Sequence, residues 1–304
     1  YPILFFISLS NSLEIVAILN KLSATPLPIQ IPSVTTKFSV NQELYISNFI
    51  ITERRFNMDK IAIISDIHGN LPALEAVLKD IDRRGVSQII CLGDMIGKGP
   101  HSKEVLEVCQ IRCQRIVKGN WEDFISDPKT EATPFIQFYR NQLGEERLAY
   151  IRQLPSVTGF WMSGKYIRLF HANPHSLYDR VYATSPLEKR LALFEVPKLP
   201  STESSSKAAD MIGYGDIHEG YLQHLEQGRV LFNVGSVGNS CDSIPMAAYV
   251  ILEGHLHRRE EADFSIQFYR VKYDRMKSIS DAMKVEIPDQ EAYINEIKTG
   301  LYCR

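Results

Sequence analysis

From residue 61 onward, short apolar runs alternate with stretches of helical periodicity. Residues 61–64 are continuously apolar, which predicts a strand covered on both faces. Asn70 then offers a cap, Pro72 suits a first helical turn, and Leu71, Leu74, Val77, Leu78 and Ile81 recur on one face until Gly85 closes the segment. A second strand at 88–92, a second helix near 102–110 and a third short strand at 115–117 follow. This βαβαβ order predicts parallel strands joined by right-handed crossovers. Residues 122–153 read as mostly helical, and 157–162 with 166–171 as a hairpin turning at Ser163 and Gly164. The stretch 173–208 is irregular and polar, and predicts a surface insertion close to the site. Strands are expected at 211–214, 221–225, 229–233, 247–252 and 265–273, then helices at 274–284 and 290–298. The expected fold is α/β: two packed mixed β-sheets flanked by helices, four layers in the order α/β/β/α.

The first 57 residues break this pattern. They contain no Met, Gly, His or Cys, although glycine averages about 7% of ordinary sequences. Residues 1–57 are therefore read as a non-native or disordered extension, with Met58 as the natural start of a domain spanning 58–304. A membrane anchor within residues 1–20 is disfavoured, because Ser8, Ser10, Asn11, Ser12 and Glu14 interrupt the apolar run.

Composition narrows the function classes. With 44% hydrophobic and 23% charged residues, the 304-residue chain matches an ordinary globular protein. A formal net charge of −2 supplies no broad basic surface, so an extended nucleic-acid partner is not expected. Five cysteines at scattered spacings form neither a CxxC pair nor a disulfide framework, which predicts a cytoplasmic protein without a membrane partner. Cys91 reads as core; Cys109 and Cys113, four apart on one helix, read as packing. The sequence carries no signal for an oligomeric state.

The chemistry lies at the ends of the strands. Asp66-Ile67-His68, Gly93-Asp94, Gly119-Asn120, His171 and Gly215-Asp216-Ile217-His218 each follow a short apolar run directly. Strand ends on one edge of a sheet converge, so ligands distant in sequence can meet there. A lone DxH or GD is uninformative; five such exits in order are a strong signal. Each residue also has a plainer use: Asp66 and Asp94 as helix caps, Asn120 as a turn residue, His68 and His218 as core or capping histidines.

The ordered series DxH, GD, GN, H, GxxH resembles the calcineurin-like metallophosphoesterases over roughly residues 60–274. Asn70 after Asp66-Ile67-His68-Gly69, the run Gly119-Asn120-Trp121-Glu122, the run Phe170-His171-Ala172-Asn173-Pro174 and the loop Gly235-Ser236-Val237-Gly238-Asn239 are similar to one compact bacterial branch. That branch includes phosphodiesterases and asymmetric diadenosine-tetraphosphate hydrolases. The resemblance implies two adjacent divalent metal ions, with Asp66, His68 and His218 on the first, Asn120, His171 and Asp216 on the second, and Asp94 between them. A hydroxide bridging the pair would attack phosphorus, because two cations acidify a shared water and clamp the phosphoryl oxygens. Asp94, Asn120 and His171 are thereby expected to serve catalysis as well as metal binding.

Two departures refine the expectation. Relatives carry GHxH where this chain has Gly215-Asp216-Ile217-His218. Three carboxylates and a hydroxide would cancel the charge of two divalent ions, weakening the electrophile and favouring Mn²⁺, with Mg²⁺, Fe²⁺ and Zn²⁺ as the alternatives. Many relatives have GNH where Trp121 follows Asn120, and an indole cannot protonate a leaving group. Because general-acid help contributes roughly 10²–10⁴-fold, the expected substrate is one whose leaving group departs unaided. The small, nucleotide-like partner so implied is a phosphodiester or a (di)nucleoside polyphosphate. A weakly catalytic metal-binding scaffold and a serine/threonine phosphatase are the alternatives. His175 is the candidate contact to substrate phosphate and Trp121 either stacks on a base or roofs the site; Arg168, Lys98, Lys118 and His101 read as surface.

Overall fold

Strand β1 (Asp59–Ile64) shows how the apolar run becomes a layer. Side chains alternate across a strand, so Ile61 and Ile63 enter one apolar cluster while Ala62 and Ile64 enter another. All four are buried, as a strand sandwiched between two packed layers requires. The computed structural model describes residues 58–202 and 207–303. The chain divides into one unit of residues 1–56 and another of 57–304. The extension and anchor readings for residues 1–57 lie outside the described residues; the rest concerns the second unit.

In the first sheet β1 pairs in parallel with β2 (Gln88–Cys91), which pairs in parallel with β3 (Arg115–Ile116). On its other edge β1 runs antiparallel to β9 (Ala247–Gly254), which pairs antiparallel with β10 (Ser265–Val271). The order is β10-β9-β1-β2-β3. The second sheet contains β4 (Val157–Met162), β5 (Lys165–Phe170), β6 (Met211–Tyr214), β7 (Gly220–His224) and β8 (Val230–Val234) in the order β4-β5-β6-β8-β7. Its central strands β5, β6 and β8 are parallel, with the antiparallel hairpin partners β4 and β7 at the edges.

The two sheets meet through Ile61, Ile63, Ile90, Leu92, Phe160, Leu169, Phe232 and Val250. The outer face of the first sheet is covered by α1 (Leu71–Arg83), α2 (Ser102–Arg112) and α4 (Pro134–Arg152), which contribute Leu74, Val77, Leu106, Tyr139 and Leu143. Burying each such side chain stabilises the layer by about 1.5–3 kcal/mol. Asn70 caps α1 as expected, accepting the Ala73 N–H at 3.3 Å. Helices α6 (Arg275–Val285) and α7 (Gln290–Thr299) form their own small core around Tyr293 and Ile297. Cys91 and Cys109 are buried in the core. Among the described residues no helix is long and apolar enough to cross a membrane.

The stretch expected to be mostly helical forms two helices, α3 (Asn120–Ser126) and α4, with Thr133 capping the second and Pro134 in its first turn. Two other expectations are corrected. The irregular insertion contains a short helix, α5 (Leu187–Ala192). More importantly, it is not mere surface: Val181, Leu193 and Phe194 are buried against Phe170, Ile212, Tyr214 and Leu231, covering the outer face of the second sheet. Arg168, expected at the surface, is 1% exposed and pins this cover by donating to the carbonyls of Glu195 (2.9 Å) and Lys207 (2.6 Å).

Candidate active site

The five strand exits named from the sequence come together at the carboxyl ends of β1, β2, β3, β5 and β6, where the two sheets meet. Asp66, His68, Asp94, His171, Asp216 and His218 are all buried there, with Asn120 half-buried at the start of α3. The turns are laced together by backbone bonds. Asp66 N–H donates to Gly93 O at 3.0 Å, His68 N–H to Asp94 O at 2.9 Å, and Gly215 N–H to His171 O at 2.8 Å. Five of the seven residues sit in the left-handed region, with φ of 55° at Asp66, 49° at His68, 50° at Asp94, 65° at Asp216 and 61° at His218. Such conformations cost roughly 1–3 kcal/mol each and persist only where surrounding structure enforces them. Gly119 is needed for close approach: a Cβ there would lie 2.2 Å from Asp94 Oδ1.

The three histidines are oriented alike. Nδ1 of His68 lies 3.3 Å from Ile96 O, that of His171 2.8 Å from Leu92 O, and that of His218 2.5 Å from Asn239 O. A carbonyl only accepts, so each ring carries its proton on Nδ1 and turns the lone pair of Nε2 inward, the usual preparation of a metal-binding imidazole. Nε2 of His68 and of His218 are only 3.2 Å apart. Asp66 Oδ2 accepts the Asp216 N–H at 3.1 Å, while its buried Oδ1 receives no donor hydrogen bond and lies 3.2 Å from His218 Nε2. Asp94 reaches both sides, its Oδ2 3.6 Å from His68 Nε2 and its Oδ1 3.4 Å from His171 Nε2. The Asn120 side-chain amide stands 3.0 Å from His171 Nε2 and, turned with its NH₂ inward, donates to both Asp94 oxygens.

Lone pairs so gathered repel unless a cation lies among them. Among the described residues two overlapping groups could hold a metal ion: Asp66, His68 and His218, and Asp66, Asp94 and His171, with candidate ligand atoms within 4.8 Å of one another in each. Asp66 is common to both groups. Asp216 Oδ1, 3.8 Å from His171 Nε2, faces the second. The donor set, imidazole nitrogens with carboxylate and amide oxygens, suits divalent transition ions.

A proton is the cation this cluster takes by itself. Burial would lower the His218 pKa, but Asp66 outweighs it and lifts the value to about 9; burial opposes the rise at His171 likewise, and Asp94 carries it well above normal. At Asp66 burial acts upward but His218 draws the carboxyl down to about 2. For His218 the sign follows from a folded pKa above its ordinary 6.5: the stabilisation is complete below 6.5 and is lost as pH rises through about 9. Chelator-treated protein should therefore have a lower thermal midpoint at pH 9.5 than at pH 6.5, and added Mn²⁺ should remove most of that difference. Melting curves at the two pH values check this, and equal midpoints for the chelated protein would contradict it.

Three contributors were not legible in the sequence. Glu122 is fully buried, and its carboxylate accepts the N–H groups of Asp94 at 2.7 Å, Met95 at 2.8 Å and Gly119 at 2.9 Å. It fixes two ligand turns at once; burial, then the Asp94 charge, push its pKa up to about 7. Lys98 is 5% exposed, donates to Asn239 Oδ1 at 2.7 Å, and acts electrostatically on His218; it belongs to the site, not the surface. Arg180, from the insertion, grips Asp216 with two bonds, Nε to Oδ2 at 3.0 Å and Nη2 to Oδ1 at 3.2 Å. The charge count from sequence, which left Asp216 uncompensated, omitted this guanidinium.

Of the two substrate contacts expected from sequence, His175 lies with its Nε2 3.1 Å from Glu195 Oε2, in the wall of a cleft of about 650 Å³ that also includes Lys118, Asp123, Leu154, Leu177 and Tyr178. Trp121 packs within an aromatic cluster of Phe124, Phe135 and Tyr139, presses on Gly97, and meets His68 edge-on at 5.3 Å. The half-buried indole thus lines the site beside His68. His101 pairs with Asp281 at 3.2 Å, and its backbone N–H donates to Gly69 O at 3.0 Å.

The chain belongs to the calcineurin-like phosphoesterase superfamily, whose domain model matches residues 60–256. An uncharacterized protein of Methanocaldococcus jannaschii is 31% identical over 246 residues, covering 75% of this chain and 94% of that protein. The fold is similar to that of a metallophosphoesterase from Sphaerobacter thermophilus, with a TM-score of 0.61 and 24% identity over 81% of this chain and 100% of that one. It is also similar to a hypothetical protein from Pyrococcus horikoshii, with a TM-score of 0.63 and 18% identity over 80% of this chain and 99% of that one.

Proposed function

We propose that this chain is a dinuclear metal-dependent hydrolase of phosphodiesters or (di)nucleoside polyphosphates. The observation that carries the reading is the inward convergence of Nε2 of His68, His171 and His218 with Asp66 Oδ1, which lacks a donor. Asp66, His68 and His218 would hold one ion, Asn120, His171 and Asp216 the other, and Asp94, in reach of both histidine groups, would join them. Bound divalent ions would supply an acidified water near neutral pH and neutralise phosphoryl charge.

The residues of the chain do the rest. The carbonyls of Ile96, Leu92 and Asn239 hold the imidazole rings in one tautomer. Glu122 fixes the Asp94 and Asn120 turns relative to one another. The cleft at Lys118, His175 and Tyr178 is close in chain to both Asn120 and His171, and combines a cationic side chain with apolar walls. It is suited to the leaving half of a nucleotide-like substrate. No acidic hydrogen is offered by Trp121, which favours anhydrides and activated diesters over alkyl monoesters.

The test is an activity panel of bis(p-nitrophenyl) phosphate, dinucleoside polyphosphates, nucleotides and a phosphoserine peptide, each with Mn²⁺, Mg²⁺, Fe²⁺ and Zn²⁺. Activity should vanish with chelator, return best with Mn²⁺, and be highest on diesters or anhydrides. Turnover greatest on the phosphopeptide would point instead to a protein phosphatase. No turnover with any ion would leave a metal-binding scaffold.

A further inference from the structure

The insertion brings one strong positive charge to the site, and the surrounding contacts show that it is placed rather than incidental. Val181, the next residue, is 1% exposed, and its carbonyl accepts the Tyr214 hydroxyl at 2.6 Å. Tyr214 ends β6, two residues before Asp216. On the other side, Asp179 accepts from Asn173 Nδ2 at 3.4 Å, and Asn173 lies two residues after His171. Arg180 is thus fixed between the two strand exits that supply His171 and Asp216. Its two bonds to Asp216 form the fork geometry of an arginine–carboxylate pair, with Asp216 4% exposed and the arginine side chain 45% exposed. A guanidinium carries five N–H donors, so the bonds to Asp216 and the contact with Tyr182 still leave donors for a further acceptor.

We propose that Arg180 is a substrate-binding residue: it offsets the charge of Asp216 and presents its remaining N–H donors to the phosphoryl group of the substrate. The inference rests on the metal-dependent reading above. Chemically, the pair substitutes for a neutral ligand. A carboxylate at position 216 adds one negative charge to the second group, and the guanidinium returns it, so an anionic phosphoryl group is admitted. The fork also adds directional donors that an imidazole ligand, with its second nitrogen turned away, does not provide.

Calorimetric titration of the metal-depleted whole chain with Mn²⁺, and then of the Mn²⁺-loaded chain with inorganic phosphate, tests the assignment without reference to turnover. Arg180→Gln should bind Mn²⁺ about tenfold more tightly, because a competing cation is gone, and phosphate about tenfold or more weakly. Arg180→Lys should return Mn²⁺ affinity to that of the wild type while phosphate binding stays weakened, since lysine keeps the charge and loses the fork. In Asp216→His, the further change Arg180→Gln should move Mn²⁺ affinity less than threefold, the compensated charge being absent. A wild type that takes up two Mn²⁺ and phosphate, with Arg180→Gln unchanged in both, overturns the role of Arg180 alone. A wild type that binds no Mn²⁺ overturns the metal-dependent reading and this inference with it.

Discussion

Asp94→Asn should abolish catalysis while leaving the metal-free protein at least as stable as the wild type. Asp94 is 2% exposed and lies within reach of ring nitrogens from both histidine groups. Burial raises its pKa despite the opposing pull of His171, which means that the ionised form is held at a cost. Asparagine keeps the shape and can still accept the Trp121 N–H, now 3.0 Å from Oδ1, but removes the charge on which the proposed pair of ions would depend. Paired-ion stabilisation of a phosphoryl transition state supplies several kcal/mol, and each 1.36 kcal/mol is tenfold, so kcat/KM should fall roughly 10³-fold or more. Rates on the preferred substrate, with thermal melts of the chelated variant, check both halves. A variant retaining a tenth of wild-type activity would remove Asp94 from the centre of the mechanism.

Glu122→Ala should be the most damaging single change to stability among the residues around the site. Three short bonds from buried N–H donors, those of Asp94, Met95 and Gly119, and a longer one from Ile96 lose their acceptor together. An orphaned buried donor costs about 1–3 kcal/mol, and three imply at least about 3 kcal/mol. In a domain of roughly this size each kcal/mol moves the midpoint by about 2–4 °C, so the thermal midpoint should drop by about 6–12 °C. Glu122→Gln should fall between, because the amide offers one acceptor oxygen but turns an NH₂ group toward the donors of the other. Metal uptake should weaken in step, since the same carboxylate spaces the turns bearing Asp94 and Asn120. Loss of activity in Glu122→Ala with an unchanged midpoint would argue for a direct chemical role instead of a positioning one.

Arg180 and Glu122 also show how local chemistry and folding divide the work of building this site. Each is an ordinary charged residue in the chain: one lies in a polar, irregular stretch, the other on a short helix. Arg180 has no period, spacing or neighbour that marks it, and Glu122 stands in the run 119–122 without its role being readable there. Their partners lie 36 residues away for Arg180 and 26 to 28 residues away for the Asp94 turn and Glu122, so only closure of those loops gives them a function. The same holds for Lys98, whose bond to Asn239 spans 141 positions.

What the amino-acid sequence determined is the layer plan and the set of polar side chains that gather at the strand exits. Both are written locally: apolar runs and helical stripes set strands and helices, caps such as Asn70 set their ends, and Asp66, His68, Asp94, Asn120, His171, Asp216 and His218 are legible because each stands at a strand exit. The position of Trp121 in an aromatic wall, the insertion serving as cover for the second sheet, the sharing of Asp66 by both groups and the neutralisation of Asp216 by Arg180 were decided by tertiary structure alone. The physical reason is that these depend on distances between chain-remote groups at the few-ångström scale on which charge and hydrogen bonding operate, and sequence spacing does not encode such distances.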